Sequence, residues 1–320
     1  MKRLALGLTL VMALTACGSG GGSTDLRVLL DWFPNPDHLA LYTAQDKGLF
    51  AAEGVSVELT PPANPADPLK LVAAGQADLG ITYEPEVLAA AEQDLPVTAV
   101  AAVIPRALNS LMAVGDSPVK SAADLAGRTV GTAGLPSDDL YLKQMIGDKP
   151  VKKVNVGSNL VASMLSGQVD ATIGAYRNIE GVQLKHEGKN PLIIPVTDAG
   201  VPQYDELVLV ANRDKLKNDS GYRDRVKKFI AALGKGVEAA KKDPAAARTA
   251  IQAKMSDAPK EVLTEQVDAT LPLLDNPRGF GRMDPAGWQS FADWLQAGGI
   301  TKKKITVGPE LVTNDYLPAR

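Results

Sequence analysis

Two stretches far apart in the chain read alike, and their likeness constrains the fold more than any other feature. Gly75-Gln76-Ala77-Asp78-Leu79-Gly80-Ile81 and Gly167-Gln168-Val169-Asp170-Ala171-Thr172-Ile173 both place Gly-Gln-x-Asp ahead of an apolar run. In each, a helical pattern stops at the glycine, which readily takes the left-handed backbone that ends helices. The aspartate then stands at the turn into a strand. Each strand runs to an aromatic, Tyr83 in one copy and Tyr176 in the other. This reads as two similarly built lobes, each bringing a tyrosine to the carboxyl end of a strand, where ligands of open α/β sheets sit. The competing reading is coincidence between two common helix–turn–strand units.

The flanking sequence supports the lobes. Leu26–Leu30 reads as a strand, His38–Phe50 as a helix, and Val55–Leu59 alternates like a strand. A helix over Asp67–Ala74, a strand over Ala77–Thr82, a helix over Pro85–Gln93 and a buried strand over Val97–Ile104 follow. A second unit offers strands at Arg128–Gly131 and Val151–Val156, with Ser137 and Ser158 placed to cap the helices Asp138–Ile146 and Asn159–Leu165. Leu207–Ala211 is one more apolar strand. The rest is helical over Arg223–Lys242, Pro244–Lys254, Pro259–Leu271 and Pro285–Ala297. Strands alternating with helices predict an α/β fold with largely parallel sheets.

The amino-terminal stretch bears on location. Lys2 and Arg3 precede a short apolar run, Leu4–Leu14, which is closed by Leu14-Thr15-Ala16-Cys17. The run is shorter than the roughly 20 residues a membrane span needs, and its layout is that of a secretory signal. A cysteine directly after Leu-Thr-Ala resembles the bacterial lipoprotein cleavage box, which makes residues 1–17 a leader and Cys17 the lipidated residue. Gly18–Thr24 is then a flexible linker. Cys17 is the only cysteine, so no disulfide is expected. Losing Lys2 and Arg3 moves the formal net charge from −3 to −5, which argues against nucleic-acid binding. His38 and His186 are the only histidines, and no metal spacing accompanies them. His38 reads as a capping or packed residue and His186 as a solvated one. Gly131-Thr132-Ala133-Gly134 lacks the spacings of nucleotide-binding loops and reads as a plain turn.

Asp31-Trp32-Phe33-Pro34-Asn35-Pro36-Asp37-His38 follows the first strand, and Tyr42, Ala44, Gly48-Leu49-Phe50 and Glu53-Gly54-Val55 come after it. Asn64-Pro65-Ala66-Asp67-Pro68, Gly80-Ile81-Thr82-Tyr83-Glu84-Pro85-Glu86-Val87 and Ala107-Leu108-Asn109-Ser110-Leu111 complete a pattern. It resembles the substrate-binding proteins of ABC importers in the thiamine-pyrimidine group, which are similar to eukaryotic pyrimidine synthases. The Gly-x-Phe-x-x-Glu-Gly type of run is shared with nitrate, sulfonate and taurine binders and says little about the ligand.

The resemblance implies a bilobal periplasmic-binding-protein fold of type II, with two α/β lobes around a cleft. The chain is then expected to cross near Val114–Ser117 and return near Gln203–Glu206. That makes residues 25–113 and 206–320 the first lobe and 114–205 the second. It also implies an aminopyrimidine ligand of thiamine synthesis, with a flavin, another flat heterocycle or a small sulfonate- or nitrate-type anion as alternatives. Partners would be a permease and its ATPase, the receptor itself being a monomer tethered to a cell membrane and facing the periplasm or cell exterior. Trp32, in a Pro-rich loop after a strand, offers a stacking face for a flat ring, and Tyr176 closes on it from the other lobe. Glu180 shares a face with Tyr176 if a helix begins there, and a carboxylate near this place in the family holds the ring's amino edge. Tyr83 and Glu84 before Pro85, Asn109 past a strand end, Asp31 beside Trp32, and Glu206 at the crossing complete the candidate site. No cofactor is expected. Thr82 and Glu86 stand where the synthases carry a cofactor lysine and a reactive histidine, and a Schiff base needs an amine.

Overall fold

The computed structural model describes residues 25–319, so the leader, Cys17 and the Gly18–Thr24 linker lie outside the described residues. Ten strands build two sheets: β1 (Asp25–Leu29), β2 (Ser56–Thr60), β3 (Leu79–Thr82), β4 (Val97–Ile104), β5 (Asn109–Ala113), β6 (Thr129–Thr132), β7 (Lys152–Asn155), β8 (Ala171–Tyr176), β9 (Leu192–Pro195) and β10 (Leu207–Asn212). The first sheet has the order β2-β1-β3-β10-β4 and the second β7-β6-β8-β5-β9. Each has three parallel strands, β2-β1-β3 and β7-β6-β8, followed by an antiparallel strand, β10 or β5. The sheets are therefore mixed rather than largely parallel. The antiparallel strand of each reaches it across the boundary between lobes, a long-range pairing that local patterning does not reveal.

The repeated motif does the same work twice. Gly75 and Gly167 both end a helix at φ 71°. Asp78 Oδ2 accepts the Arg27 N–H at 3.0 Å and Asp78 N–H donates to the Arg27 carbonyl at 2.9 Å. Asp170 Oδ2 accepts the Thr129 N–H at 2.9 Å and Asp170 N–H donates to the Thr129 carbonyl at 2.8 Å. Each aspartate thus seats the start of a strand, β3 or β8, against the start of its parallel neighbour, β1 or β6.

Strand membership moves the expected boundary. The first crossing lies between Ile104 and Asn109, not near Val114–Ser117, because Asn109–Ala113 pairs with β8 and β9 in the second sheet. The return lies between Pro195 and Leu207. Asn109 accordingly opens β5 rather than following a strand end.

The carboxyl-terminal helices Ser220–Lys242, Pro244–Gln252, Lys260–Thr270 and Pro285–Ala297 clothe the first sheet and its margin with the second. Phe50 and Phe229 stack with centroids 5.0 Å apart. A Cβ on Gly236 would run into the Ala40 carbonyl, so this glycine permits the close approach of Ser220–Lys242 to Leu39–Asp46. An apolar cluster runs from Val97 and Val208 through Tyr204, Trp288 and Phe291 to Val130 and Ile173, joining the two sheets at their crossing. No helix of the described residues is long and apolar enough to cross a membrane.

Candidate ligand-binding cleft

Strands that run parallel within a sheet deliver their following loops to one edge, and those edges face each other here. Between them lies a slot lined from both lobes. Asp31, Trp32 and Asn35 enter from the loop after β1, Tyr83 from the end of β3, and Glu206 from the return crossing. Opposite them stand Asn109 at the start of β5, Ala133, Leu135, Ser137 and Tyr141 after β6, Gly174 and Tyr176 of β8, and Ile179 and Glu180 after it.

Trp32 and Tyr176 each reach past their own lobe. Trp32 packs on the apolar cluster of Met112, Val156 and Leu160 in the second lobe, while the Tyr176 hydroxyl reaches Glu206 at the return crossing. The helix expected after Tyr176 forms at Glu180–His186. Glu180 Oε2 accepts the Tyr176 N–H at 2.7 Å, which leaves Oε1 for the slot.

Asp31 is fixed by two neighbours. Its Oδ2 accepts the Tyr83 hydroxyl at 3.0 Å and its Oδ1 lies 2.8 Å from His38 Nε2. The Asn35 N–H donates to His38 Nδ1 at 3.2 Å, so Nε2 carries the imidazole proton and donates it to Asp31. His38 is therefore the packed residue the sequence suggests, and it orients Asp31.

Glu206 ties the two crossings together. Its Oε2 accepts the N–H groups of Leu108 and Asn109, at 2.5 and 2.9 Å, and the Tyr204 hydroxyl at 2.9 Å. Its Oε1 accepts the Tyr176 hydroxyl at 3.2 Å. Tyr141 extends the chain by donating to the Tyr204 hydroxyl at 2.8 Å. Asn109 Oδ1 accepts the Gly174 N–H at 3.1 Å, leaving its amide NH₂ toward the slot.

Burial raises the acids around the slot. Glu180 is pushed up to about 7, chiefly by burial, with the Tyr176 N–H opposing. Glu206 is raised by burial against its four hydrogen bonds. Burial also holds the Tyr83 and Tyr176 hydroxyls well above their ordinary range, so both remain donors. Among the described residues, no lysine or arginine lines the slot. The amides of Gly134 and Leu135 donate to Asp138 Oδ2, both at 2.9 Å, so the turn after β6 serves its own helix; Asp138, not Ser137, makes that cap. The slot thus offers aromatic faces, hydroxyl and amide donors, and carboxyl acceptors.

Glu84 is the candidate that the structure moves elsewhere. It does not line the slot; its Oε2 accepts the Asp205 N–H at 2.7 Å on the far side of the chain. Tyr83 has extended backbone (φ −120°, ψ 146°), so consecutive side chains leave opposite faces, and Tyr83 takes the slot. Asn35, Ser137 and Tyr141 are lining residues that the sequence reading missed. Tyr141 carried a signal in its place in the second turn of the helix Pro136–Ile146, which follows β6.

This is the fold of periplasmic binding proteins, two α/β lobes joined by crossing strands around a cleft. It superposes on the alkanesulfonate-binding protein SsuA from Xanthomonas axonopodis pv. citri with a TM-score of 0.72 at 17% identity, covering 91% of this chain and 99% of that one. The NMT1/THI5 like family model matches residues 35–247, and the chain belongs to that family. It is 37% identical over 305 residues to the formylaminopyrimidine-binding protein of Halalkalibacterium halodurans, covering 91% of this chain and 92% of that protein. A protein from Haemophilus influenzae named for thiamine biosynthesis is 34% identical over 317 residues, covering 96% and 98%.

Proposed function

We propose that this protein is the solute-binding component of an ABC importer and that it captures a thiamine-related aminopyrimidine. The observation that carries the reading is the lining of the slot. Trp32 and Tyr176 give faces for a flat ring, Asp31, Glu180 and Glu206 give acceptors, and no lysine or arginine stands among the described residues of the lining. An exocyclic amine donates to Glu180 Oε1, and the Asn109 amide NH₂ is placed for a ring nitrogen, while the Tyr83 hydroxyl, its proton given to Asp31, offers an acceptor. The relative from Halalkalibacterium halodurans is named for a ligand of this kind. A sulfonate or nitrate would meet three carboxyls and no positive partner, so the anion alternative is disfavoured in spite of the fold shared with a sulfonate binder. A flavin would have to extend past Trp32 into the neighbouring chamber of Phe33, Asn64, Ser158 and Asn159.

A receptor rather than an enzyme is supported by the same residues. Thr82 and Glu86 offer no amine for a cofactor aldehyde, and Glu86 is engaged with a backbone amide. The leader and Cys17 support export with a lipid anchor. The test is mass spectrometry of ligand released from purified protein, followed by calorimetric titration with N-formyl-4-amino-5-aminomethyl-2-methylpyrimidine. An aminopyrimidine recovered chemically unchanged supports the proposal. Turnover of that compound, or a released anion in its place, contradicts it.

A further inference from the structure

Glu86 lies outside the slot, yet it is a buried carboxyl on the helix Glu84–Glu92 of the first lobe. Its Oε1 accepts the Ser137 N–H at 3.2 Å, and Ser137 belongs to the helix Pro136–Ile146 of the second lobe. The first amides of a helix have no partner within it and carry partial positive charge. Pro136 has no N–H, and Asp138 takes those of Gly134 and Leu135. The Ser137 amide is thus satisfied from across the lobe boundary. We infer that Glu86 is the closure latch of this receptor, a positioning residue that engages the Pro136–Ile146 helix only when the lobes meet and holds its side of the slot against the ligand.

The wall it holds is substantial. Leu135, Ser137 and Tyr141 line the slot, and Tyr141 reaches Glu206 through Tyr204. Opening the lobes must part Glu86 from Ser137 and return both to water. Burial raises the Glu86 carboxyl, while its bonds to Ser137 and the charge of Lys70 oppose that rise. The contact is therefore formed against a desolvation cost, and ligand in the slot offsets it. Nothing in this places Glu86 on the ligand itself, so its effect falls on how long the closed form lasts.

The experiment follows dissociation of N-formyl-4-amino-5-aminomethyl-2-methylpyrimidine by stopped flow and the interlobe distance by a fluorophore pair, one on each lobe. Wild type, Glu86→Ala and Glu86→Gln are compared, with ligand-free thermal unfolding as the control on folding. Glu86→Ala is expected to speed dissociation by about tenfold, leave association within about twofold, and reduce the closed population. Glu86→Gln keeps an acceptor for the Ser137 N–H and is expected to restore both readouts to within about threefold of wild type. A Glu86→Ala protein with the wild-type dissociation rate and distance distribution overturns the latch. So does a glutamine variant as impaired as the alanine one. If wild type does not bind the pyrimidine, the ligand reading fails, and the latch stands or falls on the closed population of the ligand-free proteins.

Discussion

Asp205 and Glu206 are consecutive residues, both acidic, both buried, and they belong to different environments. Asp205 turns to Arg278, at 3.2 Å, and to the Trp288 indole N–H, at 2.9 Å, while its own N–H goes to Glu84. Glu206 turns to the slot and meets amides and tyrosine hydroxyls. The first group has a cation to balance it. The second is held by neutral donors beside a cavity, where its carboxyl faces whatever enters. Burial of an acid does not by itself mark a binding site; its partners and the space beside it do.

Glu206→Ala should have the largest effect, because it orphans two amides and two hydroxyls at once. A loss of about 3 kcal/mol or more in stability is expected, together with loss of binding, measured by chemical denaturation and titration. Trp32→Ala should leave the fold intact and weaken aminopyrimidine binding by roughly 1–3 kcal/mol, a tenfold to hundredfold rise in Kd. A wild-type affinity in a folded Trp32→Ala protein would move the stacking site elsewhere. Trp288→Phe strikes the closed side instead: it should cost roughly 1–3 kcal/mol of stability and leave affinity within about threefold. A larger loss of affinity than of stability would erase the distinction between the two sides.

The smallest effect is a change in pH profile. Glu180 in the empty slot is raised to about 7, and an amine donating to it favours the ionised form. Binding an aminated ring therefore releases a proton, and affinity should rise with pH up to about 7 and flatten above it. For the ligand-free protein the sign is opposite. A carboxyl raised on folding destabilises the native state as pH climbs from the ordinary glutamate range to about 7, and Asp138, also raised to about 7 by burial, adds to this. Glu180→Gln should flatten the binding profile, which titrations between pH 5.5 and 8 would show; an unchanged profile would assign the proton to another group.

Much of the lining of this candidate slot is legible in the sequence, because its residues sit where strands end. Gly-Gln-x-Asp marks the entry to β3 and β8, and the aromatic at the end of each strand, Tyr83 just past β3 and Tyr176 closing β8, reaches the slot. Trp32, Asp31, Tyr176 and Glu180 follow from the same logic. Glu84 and the membership of β5 did not, for two physical reasons. Which of two adjacent side chains enters a cleft depends on the phase of one extended residue, Tyr83. The exchange of β5 and β10 between lobes is a long-range pairing with no local pattern. Tyr141 and Glu86 act through partners more than fifty residues away, Tyr204 and Ser137, which the folded chain brings beside them.

The central claim is that an acidic, aromatic slot without cations selects an aminated ring over an anion, although the fold is shared with a sulfonate binder. Competition titration of the purified wild-type protein tests it most directly, with N-formyl-4-amino-5-aminomethyl-2-methylpyrimidine set against an aliphatic sulfonate. The account predicts saturable binding of the pyrimidine and no displacement by the sulfonate at a hundredfold excess. Displacement by the sulfonate, or tighter binding of it than of the pyrimidine, would contradict the account.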